Sequence, residues 1–477
     1  MNTNYLIVLL LTITLLSQHS QTLSLRVQAP SERVYDKKVT NSEQAKSLTS
    51  SLGWSQVNLN SSQSRLSAFS MRHVDISADL SSWKSYGIES SSLLLDPVGK
   101  QLIVLLQQGN TDETIPFPLR NTVMGSIDLT TPKKHTTISS IVLSSQLQPL
   151  DTDDLVLPVL DAFGNYFVVR KNVTNGKHVL LKIDSDSMDR TVHILFESDG
   201  IIDVMHGLLV VEGLLSSLIV LSTSKNIVAL DASTRKIQWL IPSRQGYFGQ
   251  LIHDHGSSFA FVSIYGGMLK FDIYTGVVIS QSLTRDESLV PYQVSSLDNS
   301  ILVLSHFRTI DGSLIFANLV NKSDPSALPK QPSVLMLQQP GECSNAISIA
   351  NSNDQFIIMC RTSAYSDRKS AKFNQYTLMA WSAATPFNKV WELDLNEIND
   401  NLSTCSLQIV ALNSDVSRVG VLCNSGLMVV DSMSGIPETV TNPLDQVQES
   451  TQVIAAQNGR VYFLRDTIPR IDSVSIL

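Results

Sequence analysis

Few residues of this chain are charged or aromatic. Of its 477 residues, 16% are Asp, Glu, Lys or Arg and 6% are Phe, Trp or Tyr, whereas 43% are hydrophobic. Acidic residues outnumber basic ones by 43 to 35, which gives a formal net charge of −8. Since a nucleic-acid-binding surface needs an excess of Lys and Arg, we expect no nucleic-acid partner. The plentiful Ser, Leu and Val indicate an all-β protein with many short strands.

Long hydrophobic runs are also scarce. The run at residues 6–16 is too short to span a bilayer, which needs about 20 apolar residues. Its length and position are typical of a signal-peptide core, although a buried strand is the alternative interpretation. We therefore predict a cleaved signal peptide at residues 1–22, cut between Ser20 and Ser24, followed by a polar segment at residues 23–50.

No second membrane-spanning segment is predicted. The best candidate, Gly207–Leu221, is interrupted by Glu212 and is better interpreted as two neighbouring strands. Residues 473–477 do not form a KDEL-type retrieval signal. We expect a protein of the endoplasmic reticulum lumen or a secreted protein.

Sequence motifs of catalysis are missing as well. No G-x-S-x-G, H-E-x-x-H or phosphate-binding glycine loop occurs. We therefore expect a protein that is not an enzyme, with no catalytic residue, no cofactor and no metal. His253-Asp254-His255 is the strongest contrary signal, because side chains two residues apart on a strand share a face. Two ligands do not complete a metal site, however, so a solvated turn is the favoured interpretation.

A second acidic segment, Asp184–Asp189, resembles the start of a calcium-binding loop. It lacks the glycine and the distal glutamate of such a loop, so we interpret it as a turn. Ser, His and Asp residues that are distant in sequence could still converge in a funnel, and this alternative stays open.

The four cysteines are spaced as two hairpin pairs. Cys343 and Cys360 are 17 residues apart, and Cys405 and Cys423 are 18 apart; each pair brackets two strand-like segments around a polar turn. The first and last residues of an antiparallel hairpin lie opposite each other, within reach of a disulfide. Of the three possible pairings we therefore predict Cys343–Cys360 and Cys405–Cys423.

Four Asn-x-Ser/Thr sequons are present, and all lie in predicted loops. Their positions are compatible with N-glycosylation at Asn60, Asn172, Asn321 and Asn401.

A repeated turn is the feature that predicts the fold. The best copy spans Ile227–Trp239 and reads as a strand, a tight turn and a second strand. The Asp side chain and the hydroxyl can both bond to the turn backbone, and the Trp offers an apolar face to a neighbouring sheet. The residues that define the copies are Asp128, Asp184, Asp231, Thr234, Trp239, Asp272, Thr275, Gly276, Asp431, Ser434 and Gly435.

The spacing of these turns matches one class of fold. The Asp positions 128, 184, 231 and 272 are 56, 47 and 41 residues apart. Periods of about 40–50 residues are those of four-stranded propeller blades. We predict a single β-propeller over residues 51–477, with seven or eight four-stranded antiparallel blades. The half blade at residues 450–477 would be completed by N-terminal strands near Trp54–Leu59 and Leu66–Met71, which closes the ring.

The spacing of Ala229, Asp231, Thr234 and Trp239 resembles the quinoprotein-type propeller repeat, with Arg235 where that family has glycine. The family includes quinone-dependent dehydrogenases, but the chain lacks their pair of adjacent cysteines. We therefore interpret the repeat as structural.

Two longer stretches, Lys225–Gln281 and Gly341–Val430, resemble the luminal first propeller of the family of endoplasmic reticulum membrane protein complex subunit 1. The second stretch contains Met359-Cys360-Arg361 and then Phe373-Asn374-Gln375-Tyr376-Thr377 in the order of that family. The resemblance implies a non-enzymatic luminal scaffold that supports insertion of membrane proteins, with subunits of a membrane complex as partners. The alternatives are a secreted propeller that binds extracellular protein or glycan and, third, a propeller enzyme with a metal or quinone in its funnel.

Overall fold

The computed structural model describes short segments before residue 146 and most of the chain after it. The described residues are 86–88, 94–95, 101–108, 122–128, 136–143, 146–150, 156, 158–184, 191–212, 216–243, 249–254, 257–264, 267–283, 289–297, 299–309, 312–323, 334–337, 339–344, 346–349, 355–364, 373–384, 387–398, 404–413, 416–424, 426–440, 453–456, 460–465 and 470–475. The predicted signal peptide, the segment 23–50 and the N-terminal strands predicted near Trp54–Leu59 and Leu66–Met71 lie outside them.

These residues form eight antiparallel sheets, each built from one continuous stretch of chain. The first four sheets contain β1 (Tyr86–Ile88), β2 (Leu94–Leu95), β3 (Gln101–Gln108), β4 (Thr122–Asp128) and β5 (Thr136–Leu143); β6 (Leu147–Gln148), β7 (Val159–Leu160), β8 (Tyr166–Asn172), β9 (His178–Ile183) and β10 (Val192–Glu197); β11 (Met205–Val211), β12 (Leu218–Thr223), β13 (Asn226–Asp231) and β14 (Ile237–Pro242); and β15 (Leu251–His253), β16 (Phe259–Ile264), β17 (Gly267–Asp272) and β18 (Val278–Leu283).

The second four sheets follow the same plan. They contain β19 (Val290–Ser296), β20 (Ser300–Thr309), β21 (Gly312–Asn321) and β22 (Val334–Leu335); β23 (Gly341–Cys343), β24 (Ile347–Ser348), β25 (Gln355–Ala364), β26 (Phe373–Ser382) and β27 (Asn388–Asp394), followed by the short helix α1 (Leu395–Ile398); β28 (Cys405–Ala411), β29 (Arg418–Cys423), β30 (Gly426–Asp431) and β31 (Pro437–Val440); and β32 (Val453–Ala456), β33 (Arg460–Arg465) and β34 (Arg470–Ser475).

Within each sheet the strands lie side by side in chain order. In sheets 1, 2 and 6 the first strand is interrupted, and its two pieces pair with the same second strand. In sheet 3, β11 and β12 pair antiparallel, which confirms that Gly207–Leu221 contributes to two neighbouring strands. The turns between first and second strands and those between third and fourth strands therefore share one end of each sheet. We call this end the turn face.

The sheets follow one another around a closed ring. The first strand of each of sheets 3, 4 and 7 contacts that of the next sheet, and β32 of the last sheet also contacts β2 of the first. The chain is therefore an all-β propeller in which the described residues form eight blades, of which the eighth shows three strands. The predicted completion of this blade by N-terminal strands remains a prediction.

The core lies between blades, so the inner strands are apolar on both faces. In β12, Ile219 and Leu221 pack against blade 2, where Phe167 is fully buried. Val220, on the opposite face of the same strand, packs against blade 4 together with Phe271. This arrangement explains why the second and third strands of the blades read as continuous apolar runs rather than as alternating ones.

Both predicted disulfides are present. Cys343 is bonded to Cys360 in blade 6, and Cys405 is bonded to Cys423 in blade 7. Each bond joins the first strand of its blade to the second, at residues that lie directly opposite each other. The hairpin geometry inferred from the spacing is therefore confirmed.

Candidate functional site

The repeated Asp turns share one hydrogen-bonding pattern. Asp231 Oδ1 accepts hydrogen bonds from the backbone N–H groups of Ser233 (3.0 Å) and Thr234 (2.7 Å) and from both hydroxyls. Burial tends to raise the pKa of Asp231, but these hydrogen bonds outweigh it and lower the pKa to about 2. Asp272 with Thr275, and Asp431 with Ser434, make the same bonds.

The other two predicted turn acids differ in what surrounds them. Asp128 ends β4 and pairs with Gln101 in the sheet. Asp184 follows β9; it forms an ion pair with Lys182 (2.8 Å) and accepts a hydrogen bond from His193 Nε2 (3.0 Å), two residues of its own blade. The rest of that turn, at residues 185–190, lies outside the described residues.

Tryptophans on outer strands join one blade to the turn of the next. Trp239 of blade 3 donates Nε1–H to the carbonyl of Ile273 in blade 4 (3.1 Å). A Cβ built on Gly276 in that turn would lie 2.7 Å from Trp239 Cδ2, so the indole rests directly on the glycine. The glycine has a φ of +71°, a conformation that glycine adopts at no steric cost.

The same contact recurs between blades 6 and 7. Trp391 donates to the carbonyl of Ser432 (3.0 Å), and a Cβ on Gly435 would lie 2.7 Å from its ring. Trp391 lies in β27, the outer strand of blade 6. Its position in β27 shows that it is the full counterpart of Trp239.

The junction between blades 2 and 3 replaces this contact with a polar one. His193 is equivalent to Trp239, because each pairs with the residue two before the turn acid of its blade, Lys182 and Ala229 respectively. Arg235 takes the place of the turn glycine, with a φ of +59°. Its Nη2 lies 2.7 Å from His193 Nδ1. A histidine–arginine pair therefore stands where two other junctions have tryptophan and glycine.

Two carboxyl groups meet at the inner end of the same junction. Asp161, in the turn after β7, is fully buried, and Glu212 follows β11 of blade 3. The Ser217 hydroxyl lies 3.0 Å from Asp161 Oδ2 and 3.3 Å from Glu212 Oε2. The Ala162 N–H donates to Glu212 Oε1 (2.7 Å). One hydroxyl hydrogen cannot serve both carboxylates, so the cluster favours an additional proton.

Burial raises the pKa of both acids. The pKa of Asp161 is raised although it accepts hydrogen bonds from Asn165, Phe163 and Ser217. Burial, with the charge of Asp161 as a second cause, raises the pKa of Glu212 to about 7. We call the two groups of residues at this boundary, Asp161–Ser217–Glu212 and Asp184–His193–Arg235, the polar junction. Both lie toward the turn face. The sequence singled out Asp184 and Arg235 as residues of the repeated turn, but it did not predict that the members of either group come together.

Replacing Glu212 by glutamine is expected to change how stability depends on pH. The pKa of Glu212 is about 7 in the fold and near its ordinary value of 4.5 in the unfolded chain, so the folded protein holds the proton more tightly. Stability therefore falls as the pH rises from 4.5 to 7. Glu212→Gln should flatten this fall and raise the free energy of unfolding at pH 8 by up to about 3 kcal/mol. Urea unfolding at pH 5 and pH 8 measures both effects.

Glu197→Gln is the matched control for this substitution. Glu197 lies in blade 2 and is exposed in an ion pair with Lys177 (3.3 Å). Its replacement should leave the pH dependence of stability unchanged. Equal pH dependence in wild type and Glu212→Gln would contradict the shared-proton interpretation.

Of the His253-Asp254-His255 segment, His253 contacts its own turn and Asp254 contacts the next blade. His253 Nε2 lies 3.2 Å from the carbonyl oxygen of Ser257, and burial lowers the pKa of its imidazole. Asp254 forms an ion pair with Lys322 of blade 5 (2.9 Å). His255 lies outside the described residues. Within the described part of the chain, no group of three or more His, Cys, Asp or Glu side chains is placed to hold a metal ion.

Two of the four sequons can be placed. Asn172 is the last residue of β8, and Asn321 is the last residue of β21, so both lie at strand ends rather than within loops. The strand order puts Asn321 on the turn face and Asn172 on the opposite face. Asn60 and Asn401 lie outside the described residues. Among the described residues, no helix is both long and apolar enough to cross a membrane.

Comparisons with known proteins identify no family for this chain. No protein family and no curated protein matches the sequence. The chain is similar to a europium-containing methanol dehydrogenase, with 11% identity over 89% of this chain and 91% of that one and a TM-score of 0.46.

Two other solved structures give comparable results. The Kuenenia stuttgartiensis hydrazine synthase has 8% identity over 66% of this chain and 94% of that one, with a TM-score of 0.44. BamB from Moraxella catarrhalis has 13% identity over 69% and 96%, with a TM-score of 0.33. With TM-scores below 0.5, these similarities assign neither the fold nor a function. The assignment as a β-propeller therefore rests on the eight sheets and their ring of contacts.

Proposed function

We propose that this chain is a non-catalytic, protein-binding propeller of the secretory pathway. In the finer form of the proposal, it is a luminal scaffold of the endoplasmic reticulum that docks on subunits of the complex that inserts membrane proteins. The predicted signal peptide supports the compartment, and so do the two disulfides, which are typical of oxidising environments. The resemblance at Lys225–Gln281 supports the finer form.

The observation that carries the proposal is an apolar surface on the outer edges of blades 3 and 4. Apolar side chains that are about half exposed line this surface. They are Ile237 (52%), Leu240 (47%), Tyr274 (54%), Val277 (56%), Val278 (45%) and Ile279 (49%). We call them the outer apolar surface. Groups of exposed apolar side chains mark sites of protein contact.

The outer strands of these two blades also lack the charges that the outer strands of blades 6 and 7 carry. β14 reads IQWLIP and β18 reads VISQSL, without a charged residue. By contrast, β27 reads NKVWELD, with Lys389 paired to Glu392, and β31 carries Glu438 paired to Arg418. Charged side chains on an edge strand discourage pairing with another chain. Their absence on β14 and β18 favours it.

The mode of binding follows from strand geometry. An outer strand presents one row of backbone N–H and C=O groups to solvent, and within the described residues neither β14 nor β18 has a partner on that side. A partner segment can add to such an edge as a further strand, with its side chains on the apolar surface. We infer an extended, apolar partner segment.

The non-catalytic part of the proposal is supported by the contacts of the acidic residues that could otherwise act in catalysis. Asp161 and Glu212 bridge blades 2 and 3 through Ser217, and Asp254 bridges blades 4 and 5 through Lys322. Each therefore has a role in joining blades. Metal analysis and a cofactor absorbance spectrum of the purified chain test this part, and a stoichiometric metal or a quinone absorbance would contradict it.

Placing lysines on the outer apolar surface should abolish partner binding without unfolding the propeller. Leu240→Lys and Val278→Lys each put a charge on an edge that a partner strand must cover, so recovery of co-purifying proteins from detergent extracts should fall at least about tenfold. The melting temperature should stay within about 2 °C of wild type, because both side chains are already half exposed.

Val390→Lys is the matched control on the outer strand of blade 6. Val390 is exposed to a similar degree (41%) but lies beside Lys389 and Glu392. The Val390→Lys substitution should leave the recovery of co-purifying proteins unchanged. A wild-type chain that emerges alone from the extract, or that is wholly secreted with complex glycans, would contradict the luminal scaffold and favour the secreted alternative.

A further inference from the structure

One of the blade turns carries an asparagine where its counterparts carry an aspartate. Asn321 pairs with Ser300, the first residue of the second strand of blade 5. Asp231, Asp272 and Asp431 pair with the corresponding first residues in blades 3, 4 and 7. Asn321 is therefore the turn residue of blade 5, and it is also the first residue of the sequon Asn321-Lys322-Ser323.

The asparagine makes one of the bonds of the aspartate turn. Asn321 Oδ1 accepts a hydrogen bond from the N–H of Ser323 at 2.8 Å. Asp272 Oδ1 and Asp431 Oδ1 accept the same bond from the residue two positions on, at 3.1 and 3.2 Å. Only the amide oxygen is needed for this bond. This bond does not use the nitrogen Nδ2, which lies on the other branch of the planar amide.

The middle residue of the sequon is anchored in the protein, and the outer two face solvent. Lys322 Nζ pairs with Asp254 (2.9 Å), and its carbonyl accepts a hydrogen bond from Lys270 Nζ (2.8 Å). The Lys322 side chain is only 14% exposed, whereas Asn321 and Ser323 are exposed. Asn321 is therefore accessible from solvent at the turn face.

We propose that Asn321 carries an N-linked oligosaccharide, a modification that rests on the proposed passage through the secretory pathway. The sugar donor is an oligosaccharide linked to a lipid pyrophosphate. The bond between the sugar C1 and the pyrophosphate oxygen breaks, and a bond between C1 and Asn321 Nδ2 forms. One amide proton is lost, and the lipid pyrophosphate leaves. The modified Asn321 keeps Oδ1 for the turn, and its sugar projects from the turn face at blade 5.

Peptide mass spectrometry tests the proposal on the full chain secreted or retained by cultured animal cells. Glycan removal by peptide-N-glycosidase in ¹⁸O-water converts a modified asparagine into labelled aspartate, so each sequon is scored separately. We expect label at Asn321 in the wild type and in Ser323→Thr, and its loss in Ser323→Ala.

Asn321→Asp is the second control, because it restores the turn residue of the other blades. It should remove one glycan and keep the melting temperature within about 2 °C, since the turn acceptor is retained. An unlabelled Asn321 in a chain labelled at Asn60, Asn172 or Asn401 would overturn this proposal alone. A chain without label at all four sequons would overturn it together with the proposed compartment.

Discussion

Replacing Gly276 by alanine is expected to lower the free energy of unfolding by about 2–4 kcal/mol. The backbone at Gly276 has a φ of +71°, which costs a residue with a Cβ about 1–2 kcal/mol. The new Cβ would also lie 2.7 Å from Trp239 Cδ2 and 2.8 Å from Cε3. Forcing atoms into a packed contact of this kind costs about 1–3 kcal/mol. Urea unfolding followed by tryptophan fluorescence measures the loss.

Gly200→Ala separates the two contributions. Gly200 also has a positive φ, +97°, but no atom lies within 4 Å of a Cβ built there. This variant should therefore show the backbone cost without the contact cost. The expected order of stability is wild type, then Gly200→Ala, then Gly276→Ala. If the last two were equally stable, the contact with Trp239 would have no energetic weight.

A double substitution tests whether the tryptophan is the obstacle. Trp239→Leu alone should cost about 3 kcal/mol, because it removes a large packed side chain and its hydrogen bond to Ile273. In that background Gly276→Ala should cost only what Gly200→Ala costs. The two substitutions would then be non-additive, as expected for residues in direct contact.

The junction between blades 2 and 3 supports this reading of the tryptophan contact. An arginine Cβ at the turn position leaves no room for an indole, since even the Cβ of alanine would overlap the ring in blade 4. The chain carries Arg235 there, and the equivalent outer-strand residue is His193, which bonds to it. The outer-strand residue of one blade must therefore fit the turn residue of the next, and the chain does this with tryptophan on glycine or with histidine beside arginine. The polar solution occurs at the boundary that also holds Asp161 and Glu212.

The parts of the fold that were predictable from the sequence are those that repeat locally. Three features depend on residues that are close in the chain: the Asp–Thr turn, the apolar strands around it and the cysteine spacing. They predicted the blade turns, the blade strands and the two disulfides. The sequence left the number of blades at seven or eight because residues 450–477 supply only half of the last one. Two of the turns also lack the aspartate. Asn321 and Ser382 take its place, and the Ser382 hydroxyl accepts the turn bond from the Ala384 N–H (3.3 Å).

The polar junction could not be predicted in the same way, since it joins residues from different blades. Asp161 and Glu212 belong to no motif, and only the ring of blades brings them to the same serine. One signal was available in the sequence: Glu212 interrupts the apolar stretch Gly207–Leu221. A charged residue at the end of an otherwise apolar strand indicates a buried partner, but the strand order is needed to name it.

Removing the two disulfides is expected to have the second large effect on stability. The bonds close loops with sequence separations of 17 and 18 residues. Loop-closure entropy in the unfolded chain predicts about 3 kcal/mol for each. All four cysteines are buried, so paired Cys→Ala substitutions avoid the burial of new hydroxyl groups. Urea midpoints of the two paired variants, measured without reductant, give the two contributions.

Each disulfide lies where the backbone pairing of the first strand is interrupted. We therefore expect the loss of a disulfide to increase local opening mainly in that strand. In blade 6 the first strand breaks after Cys343 and resumes at Ile347. In blade 7 the register between β28 and β29 shifts between Cys405 and Ile409. Hydrogen exchange in the paired variants should therefore rise first in β23 and in β28 respectively.

The two losses should add, because the bonds lie in separate core clusters, one between blades 5 and 6 and one between blades 6 and 7. A variant with all four cysteines replaced should then lose about 6 kcal/mol and should no longer respond to reductant. If reduction of the wild type left the urea midpoint unchanged, the bonds would not stabilise the ring. If exchange instead rose equally in all eight blades, each bond would act on the ring as one cooperative unit rather than on its own blade.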